Sequence, residues 1–476
     1  MSPVSRLRQL WSPAGLSRDF QLFWVGNTVS LLGDRISFLV VPAVVVFLLG
    51  GSALDVGLIS TAQYLAIPVL SLVAGALADR WDLRRMLIGC DLVRFAAIAA
   101  IPVAYWFGFL RIPLLFGLVV VVSVATVFFA IAYMPAITAT VAQPDLVRAN
   151  ARMEGSRTVT ELGGPAVAGG IYQLLGVAAL LVDAATYLLS AIAVRAMRPF
   201  AERTGRSPTG PAAGPAGAGT AGPVVGPAVG PAAVGRTVLA RARAGMRRNW
   251  ADPVLRRSTA GTLLANIGGP IFVTQMPVLA YQGLDLSAGA FGIVLSVAAG
   301  GAVLGAVTAT RVSNRLGSGR MIGLAMVCHS ASGLGILAVP QFPGAVVLAL
   351  TLSSYGFFFS WYNINSAAVR QARVPIPEQT IIHGAYRTIT WGVIPVSTFV
   401  GGAVVSFLAQ NLSILDAAKF TMLAATVIGI SSIIPLAGMQ RLLATIGPME
   451  PEPAEPAEPA EPAEPAASPP ARVEPS

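Results

Sequence analysis

The feature that most constrains this chain is the recurrence of long apolar runs. A helix that crosses the hydrocarbon core of a bilayer needs about 20 mostly apolar residues. Twelve such runs are present, near residues 20–48, 54–78, 86–108, 113–137, 157–175, 177–197, 259–281, 287–310, 320–339, 344–368, 381–409 and 416–438. Only 11% of the 476 residues are charged, against about 25% in soluble domains, so the chain cannot cover a water-facing surface of its own size. Soluble enzymes, coiled coils and disordered chains are excluded. The expected fold class is an all-α polytopic membrane protein with 12 transmembrane helices. The first 20 residues carry Arg6, Arg8 and Arg18 but no short apolar leader core, so the first run is expected to be a retained span.

The arginines orient these spans through the positive-inside rule. With twelve spans, Arg6, Arg8, Arg18, Arg80, Arg84, Arg85, Arg148, Arg152, Arg311, Arg315, Arg320, Arg370 and Arg373 share one side with the series from Arg198 to Arg257. The other side holds only Arg111 and Lys419. Both termini are therefore expected in the cytoplasm, in a bacterial plasma membrane. The net charge of +10 averages unlike regions: residues 1–448 hold 31 basic and 15 acidic groups, whereas the tail from Met449 holds seven glutamates and one arginine. A basic balance can signal nucleic-acid binding, but an apolar membrane body excludes that partner; the expected partners are the lipid bilayer and a small-molecule substrate, the expected state a monomer.

The expected organisation is a cytoplasmic N-terminus (1–19), a six-helix bundle (20–197), a cytoplasmic linker (198–258), a second six-helix bundle (259–438) and a disordered tail (439–476). Residues 207–235 are Gly/Pro/Ala-rich and read as a flexible linker. Arg236 to Arg257 reads as a basic helix on the anionic inner leaflet. The tail repeats Glu-Pro-Ala five times from Glu452 to Ala466, the period of polyproline II. The two bundles repeat in parallel: Phe128–Pro135 is similar to Phe357–Ile364, Ala139–Gln143 to Ala367–Gln371, Gly169-Gly170 to Gly401-Gly402, and Arg85-Met86 to Arg320-Met321. Two pseudo-symmetric halves with a long linker suit alternating access around a midplane site.

The stretch Gly75-Ala-Leu-Ala-Asp79-Arg80-Trp-Asp-Leu-Arg84-Arg85 resembles the major facilitator superfamily signature between helices 2 and 3. Asp82-Leu83 stands where that pattern usually has a glycine before the basic pair. With Ser30–Asp34 and Ser52–Gly57, this resembles the drug:proton antiporter subfamily of macrolide-efflux and enterobactin-exporter proteins, over about residues 18–440. The resemblance implies the major facilitator fold, and an inner-gate latch in which Asp79 meets the start of helix 11, around His383–Arg387. It implies no cofactor, the energy coming from a proton gradient. Gly163-Gly-Pro165 and Gly169-Gly170 resemble the antiporter motif of helix 5 with one extra residue between them.

Asn27, Ser30, Asp34 and Ser37 share one face of the first span. A polar stripe with a carboxylate must face the bundle interior or water, so Asp34 is a candidate to bind the coupling proton or a substrate cation, or to form an ion pair. Arg35 points off that face toward another helix. Glu161, with Arg157 one turn earlier, reads as a local ion pair and a second coupling candidate. Asp183 and Asp416 are expected near the outer face. In this superfamily helices 1, 4, 7 and 10 line the cavity; the cavity candidates are Asn27, Arg35, Gln63, Tyr64, Tyr133, Asn266, Gln275, Tyr355, Trp361, Tyr362, Asn363 and Arg387, each of which could equally serve interhelix hydrogen bonding. Cys90, Cys328, His329 and His383 lack metal-site spacing, so no metal is expected. The absence of a nucleophile constellation argues against an enzyme, and that of a nucleotide-binding loop against an ATP-driven pump. The expectation is proton-coupled efflux of a small amphipathic compound, with import or facilitated passage as the alternative.

Overall fold

Local signals start and stop the helices. Ser17 accepts a hydrogen bond from the Phe20 amide at the start of the first helix, and Asp82 accepts from the amides of Arg84 and Arg85 at 2.8 and 3.3 Å at the start of the third. The residue that departs from the usual glycine is thus an N-cap, which satisfies amides the helix itself leaves unpaired. Asp252 plays the same part for the seventh helix, followed by Pro253 at its first position.

The computed structural model describes residues 16–78, 82–141, 145–198, 243–375 and 378–445. All regular structure among them is helical. The helices are α1 (Arg18–Ala43), α2 (Ala53–Ala78), α3 (Leu83–Trp106), α4 (Ile112–Thr140), α5 (Leu146–Leu175), α6 (Ala179–Arg195), α7 (Pro253–Thr274), α8 (Ala288–Leu316), α9 (Ser318–Ala331), α10 (Gly344–Arg373), α11 (Gln379–Gly392, resumed at Ile394–Leu408) and α12 (Ile414–Ile430). Their order follows the twelve apolar runs. Among the described residues, ten stretches are long and apolar enough to cross a membrane, one of them, Arg148–Arg195, running through most of α5 and all of α6. Asp79, Arg80, most of the 198–258 linker and the Glu-Pro-Ala tail lie outside the described residues.

Several helices outrun their apolar runs at the arginine-rich end. α5 starts at Leu146 rather than near 157, α7 at Pro253 rather than 259, and α10 continues to Arg373 rather than 368. Hydropathy marks only the part that suits lipid, whereas backbone hydrogen bonding continues through the polar turns beyond it. The repeat of the halves is visible in the backbone. α1 ends in a π-turn, Val44–Leu48, and α7 is followed, after the short helix Met276–Val278, by another, Leu279–Gly283. Their separation is the one that relates Arg85 to Arg320.

Packing distinguishes the two ends of the molecule. At the arginine-poor end one continuous apolar core joins both halves, running through Val40, Val44, Ile59, Ile101, Leu180, Phe272, Leu279, Phe291 and Met422. At the arginine-rich end each half keeps its own core, Phe20–Leu87–Phe129 in the first and Met321–Tyr362–Leu436 in the second. The halves meet on glycines: a Cβ on Gly57 would lie 2.8 Å from the Thr398 carbonyl oxygen, and one on Gly169 2.7 Å from that of Ala288. Gly169 of the helix 5 motif therefore serves the α5–α8 crossing, where small residues let backbones approach, while Gly164 makes room for the Arg35 side chain of α1. Thr61 and Thr398 hydroxyls share a hydrogen bond of 2.9 Å, and the Leu54 and Ala166 amides donate to Ser406 and Ser296 at 2.8 and 3.0 Å.

Candidate functional site

The α1 stripe faces inward. Asn27, Ser30 and Asp34 line a cavity of about 560 Å³ that also touches Tyr133, Asn150, Glu154 and Arg157 toward the arginine-rich end. Asp34 and Ser37 line a second cavity, of about 480 Å³, together with Gln63, Phe38, Val119, Tyr187 and Arg387. Asp34, Thr126 and Ala130 belong to both, so Asp34 sits at their junction.

Behind Asp34 lies a buried polar cluster. The Tyr187 hydroxyl of α6 donates to its carboxylate. The Arg94 guanidinium of α3 is sandwiched between the rings of Phe129 and Tyr187, 4.2 and 4.6 Å from their centroids, and pairs with Asp91 one turn earlier; both are buried. Asp183 is completely buried and accepts hydrogen bonds from Ser37 and Thr186. Asp183 does lie near the arginine-poor end, one turn into α6, but the structure corrects the expectation that it is solvated there: facing α1, its carboxylate is satisfied by hydroxyls rather than by interfacial water. Asp416 lies half-exposed at the start of α12, accepting from Ser413 at 2.7 Å and pairing with Lys419 at 3.6 Å. The charges of α3 escaped sequence reading, although Asp91-Leu-Val-Arg94 in the middle of an apolar run was the available signal.

The other candidates divide. Arg35 leaves the Asp34 face and donates to Glu161 on α5 at 3.1 Å, where Arg157 also donates at 3.1 Å. Glu161 is thus the acceptor of a two-arginine pair rather than of Arg157 alone. Tyr64 lies near Arg35 and Tyr355 and lines neither cavity. In the second half, Asn266 donates to the Thr390 carbonyl at 2.7 Å, Trp361 donates to Thr308 at 2.9 Å, Tyr362 shares a hydrogen bond with Thr262, and Tyr355 stacks on Phe272 and His329. These aromatic and amide groups tie helices together and line neither cavity. Asn363 is exposed. Gln275 is fully buried at the break after α7, its amide without a partner among the described residues. Gly75 lies within α2. Arg84 donates to the Arg195 carbonyl, fastening α3 to the end of α6, while Arg85 is exposed beside Asp82, 3.8 Å away.

The repeat sharpens the contrast between the halves. His329 stands where the repeat places the counterpart of Arg94, its ring centroid 3.8 and 5.1 Å from those of Tyr355 and Phe359. The ring-lined position is kept, but Gly269 stands opposite Asp34 and Met326 opposite Asp91. At these mid-helix positions the second half carries no charge; its buried pair, Arg373 with Asp252, lies instead at the arginine-rich end.

Paired helical halves closed at one end, around cavities that reach an acidic centre, define a multi-pass membrane transporter. The chain matches the Major Facilitator Superfamily over residues 23–397 and belongs to it. It is 24% identical over 183 residues to macrolide efflux protein A of Streptococcus pyogenes, covering 38% of this chain and 44% of that protein, so the chain spans less than half the length of this curated relative. Solved structures share the fold: the nucleoside transporter NupG (TM-score 0.63, 14% identity, 88% of this chain and 99% of that one) and a bacterial homologue of the human lysosomal transporter Spinster, inward-facing and unoccupied (0.63, 13%, 89% and 96%). A bacterial homologue of the iron transporter ferroportin, inward-facing, is also similar (0.59, 15%, 87% and 98%).

Proposed function

We propose that this chain exports a small amphipathic compound in exchange for protons by alternating access, with the arginine-rich end and both termini in the cytoplasm. The observation that carries this reading is Asp34. It lies about 16 residues into α1, so roughly 24 Å along it, at the junction of two cavities, and has no ion-pair partner among the described residues, unlike Glu161 and Asp91. With Asp91 and Asp183 it makes three carboxylates against the single guanidinium of Arg94, a net negative cluster that a proton or a substrate cation can neutralise. Occupancy of Asp34 by one or the other is the exchange an antiporter needs. In this orientation the outer end is the closed one. The cavity of Asn150, Glu154 and Arg157 then lies on the cytoplasmic path.

The energetics are adequate. One proton entering across about 100 mV yields about 2.3 kcal/mol, and a tenfold concentration ratio of a neutral solute costs about 1.4 kcal/mol. The partial likeness to a macrolide efflux protein supports efflux as the direction. The test is accumulation of a compound panel in an efflux-deficient host expressing the protein, with and without a protonophore. Export that stops with the protonophore, and is lost in Asp34→Asn, is the expected result; protonophore-insensitive export, or wild-type export by Asp34→Asn across pH, refutes it.

A further inference from the structure

Arg387 contributes something the acidic cluster does not. The 480 Å³ cavity is built from α1, α2, α3, α4 and α6 of the first half; among the described residues, Arg387 of α11 is the single lining group from the second half. A site that serves alternating access must be touched by both halves, and here the second half reaches in with a guanidinium. That group is unneutralised. Arg35 and Arg94 each have a carboxylate partner, whereas Arg387 has neither a carboxylate nor a hydrogen-bond partner among the described residues. It rests on the Trp391 ring, 4.7 Å from its centroid. Stacking holds the guanidinium plane in place but leaves its five N–H donors open. An arginine within a membrane-spanning segment is costly unless it is paired or hydrated.

The same cavity presents Asp34 and apolar walls from Phe38, Val41, Ile98 and Val119. We infer that the transported compound is an amphipathic zwitterion, its cationic group competing with the proton for Asp34 and its acidic group held by Arg387. This rests on the proposed function, which makes Asp34 the exchange site, and names its substrate class. It also keeps exchange electrostatically consistent. A purely anionic ligand would bind better when Asp34 is protonated, favouring movement of proton and ligand together. A ligand with its own cation is displaced by the proton.

The test uses the full chain, purified in detergent, without any gradient. The probes share one fluorescent body: norfloxacin, with a piperazine cation and a carboxylate at opposite ends, its methyl ester (cation only) and its N-acetyl derivative (anion only). Equilibrium dialysis should show norfloxacin binding at least tenfold more tightly than either. Arg387→Gln should bring norfloxacin to within twofold of the ester without changing the ester, Arg387→Lys should retain part of the preference, and Asp34→Asn should bring norfloxacin to the level of the N-acetyl derivative. The inference is overturned if norfloxacin fails to bind, if it binds no more tightly than the ester, or if Arg387→Gln leaves its preference intact or weakens all three equally. Binding here requires neither a proton gradient nor a direction. Protonophore-insensitive transport would therefore sink proton coupling and leave this result standing.

Discussion

The closed end of the molecule depends on backbone-to-backbone approach at Gly57, and adding a side chain there should open it. A Cβ at Gly57 would lie 2.8 Å from the Thr398 oxygen, 3.0 Å from the Gly402 Cα and 3.3 Å from the Gly402 nitrogen. All three are backbone atoms, so no rotamer change can relieve the clash, and Gly57→Val adds two further methyl groups. Overpacking of this kind costs about 1–3 kcal/mol. The penalty falls only on the state in which α2 and α11 are in contact, so at about 1.4 kcal/mol per factor of ten the closed population should fall by about 5- to 150-fold relative to the open one. The reporter is Thr398→Cys, a completely buried position in the closed arrangement, in a background with Cys90 and Cys328 replaced by serine. In detergent, a bulky hydrophilic maleimide should label the introduced thiol slowly with Gly57 present and at least five times faster in Gly57→Val. Equal labelling rates in a folded, monodisperse variant would refute the claim that glycine contact holds this end shut.

Two ion pairs give further predictions. Arg94→Met leaves Asp91 uncompensated in the α3 interior, and loss of one partner of a buried pair costs about 3–5 kcal/mol; the thermal midpoint in detergent should drop sharply, and the double variant Asp91→Leu/Arg94→Met should recover most of that loss. At the arginine-rich end, the helical segment 243–251 is held to the start of α11 by Arg248 and Glu378 at 2.7–2.9 Å, and Gly245 packs on Ile381. Glu378→Gln should therefore raise the rate of limited tryptic cleavage at Arg247 and Arg248 severalfold, whereas an unchanged digestion pattern would show that the segment is held by packing alone.

Much of the architecture was legible because bilayer physics is one-dimensional. A backbone that cannot bond to lipid must form helices, so apolar runs of about the right length announce the spans and their order. The repeat was legible for the same reason, since Arg85 and Arg320 mark equivalent turns. At the site, the shared face of Asn27, Ser30, Asp34 and Ser37 follows from helical period, and so does the divergence of Arg35. The partners of these groups did not follow. Tyr187, Arg94 and Asp183 reach Asp34 from helices far away in sequence, and only interhelix packing brings them there. The helix 10 aromatics show the converse: residue type suits a cavity wall, yet Trp361 and Tyr362 face neighbouring helices.

The all-helical membrane class, the two related halves, the superfamily signature and the carboxylate in the middle of α1 can all be read in one dimension. These are properties of composition, period and local spacing. Packing in three dimensions is what makes Asp34 join two cavities, Arg35 and Arg157 take up Glu161, glycines close the halves at the arginine-poor end, and Arg387 reach from the second half into the cavity of Asp34. Each of these depends on rotation and crossing of packed helices, which small residues permit but do not specify in one dimension.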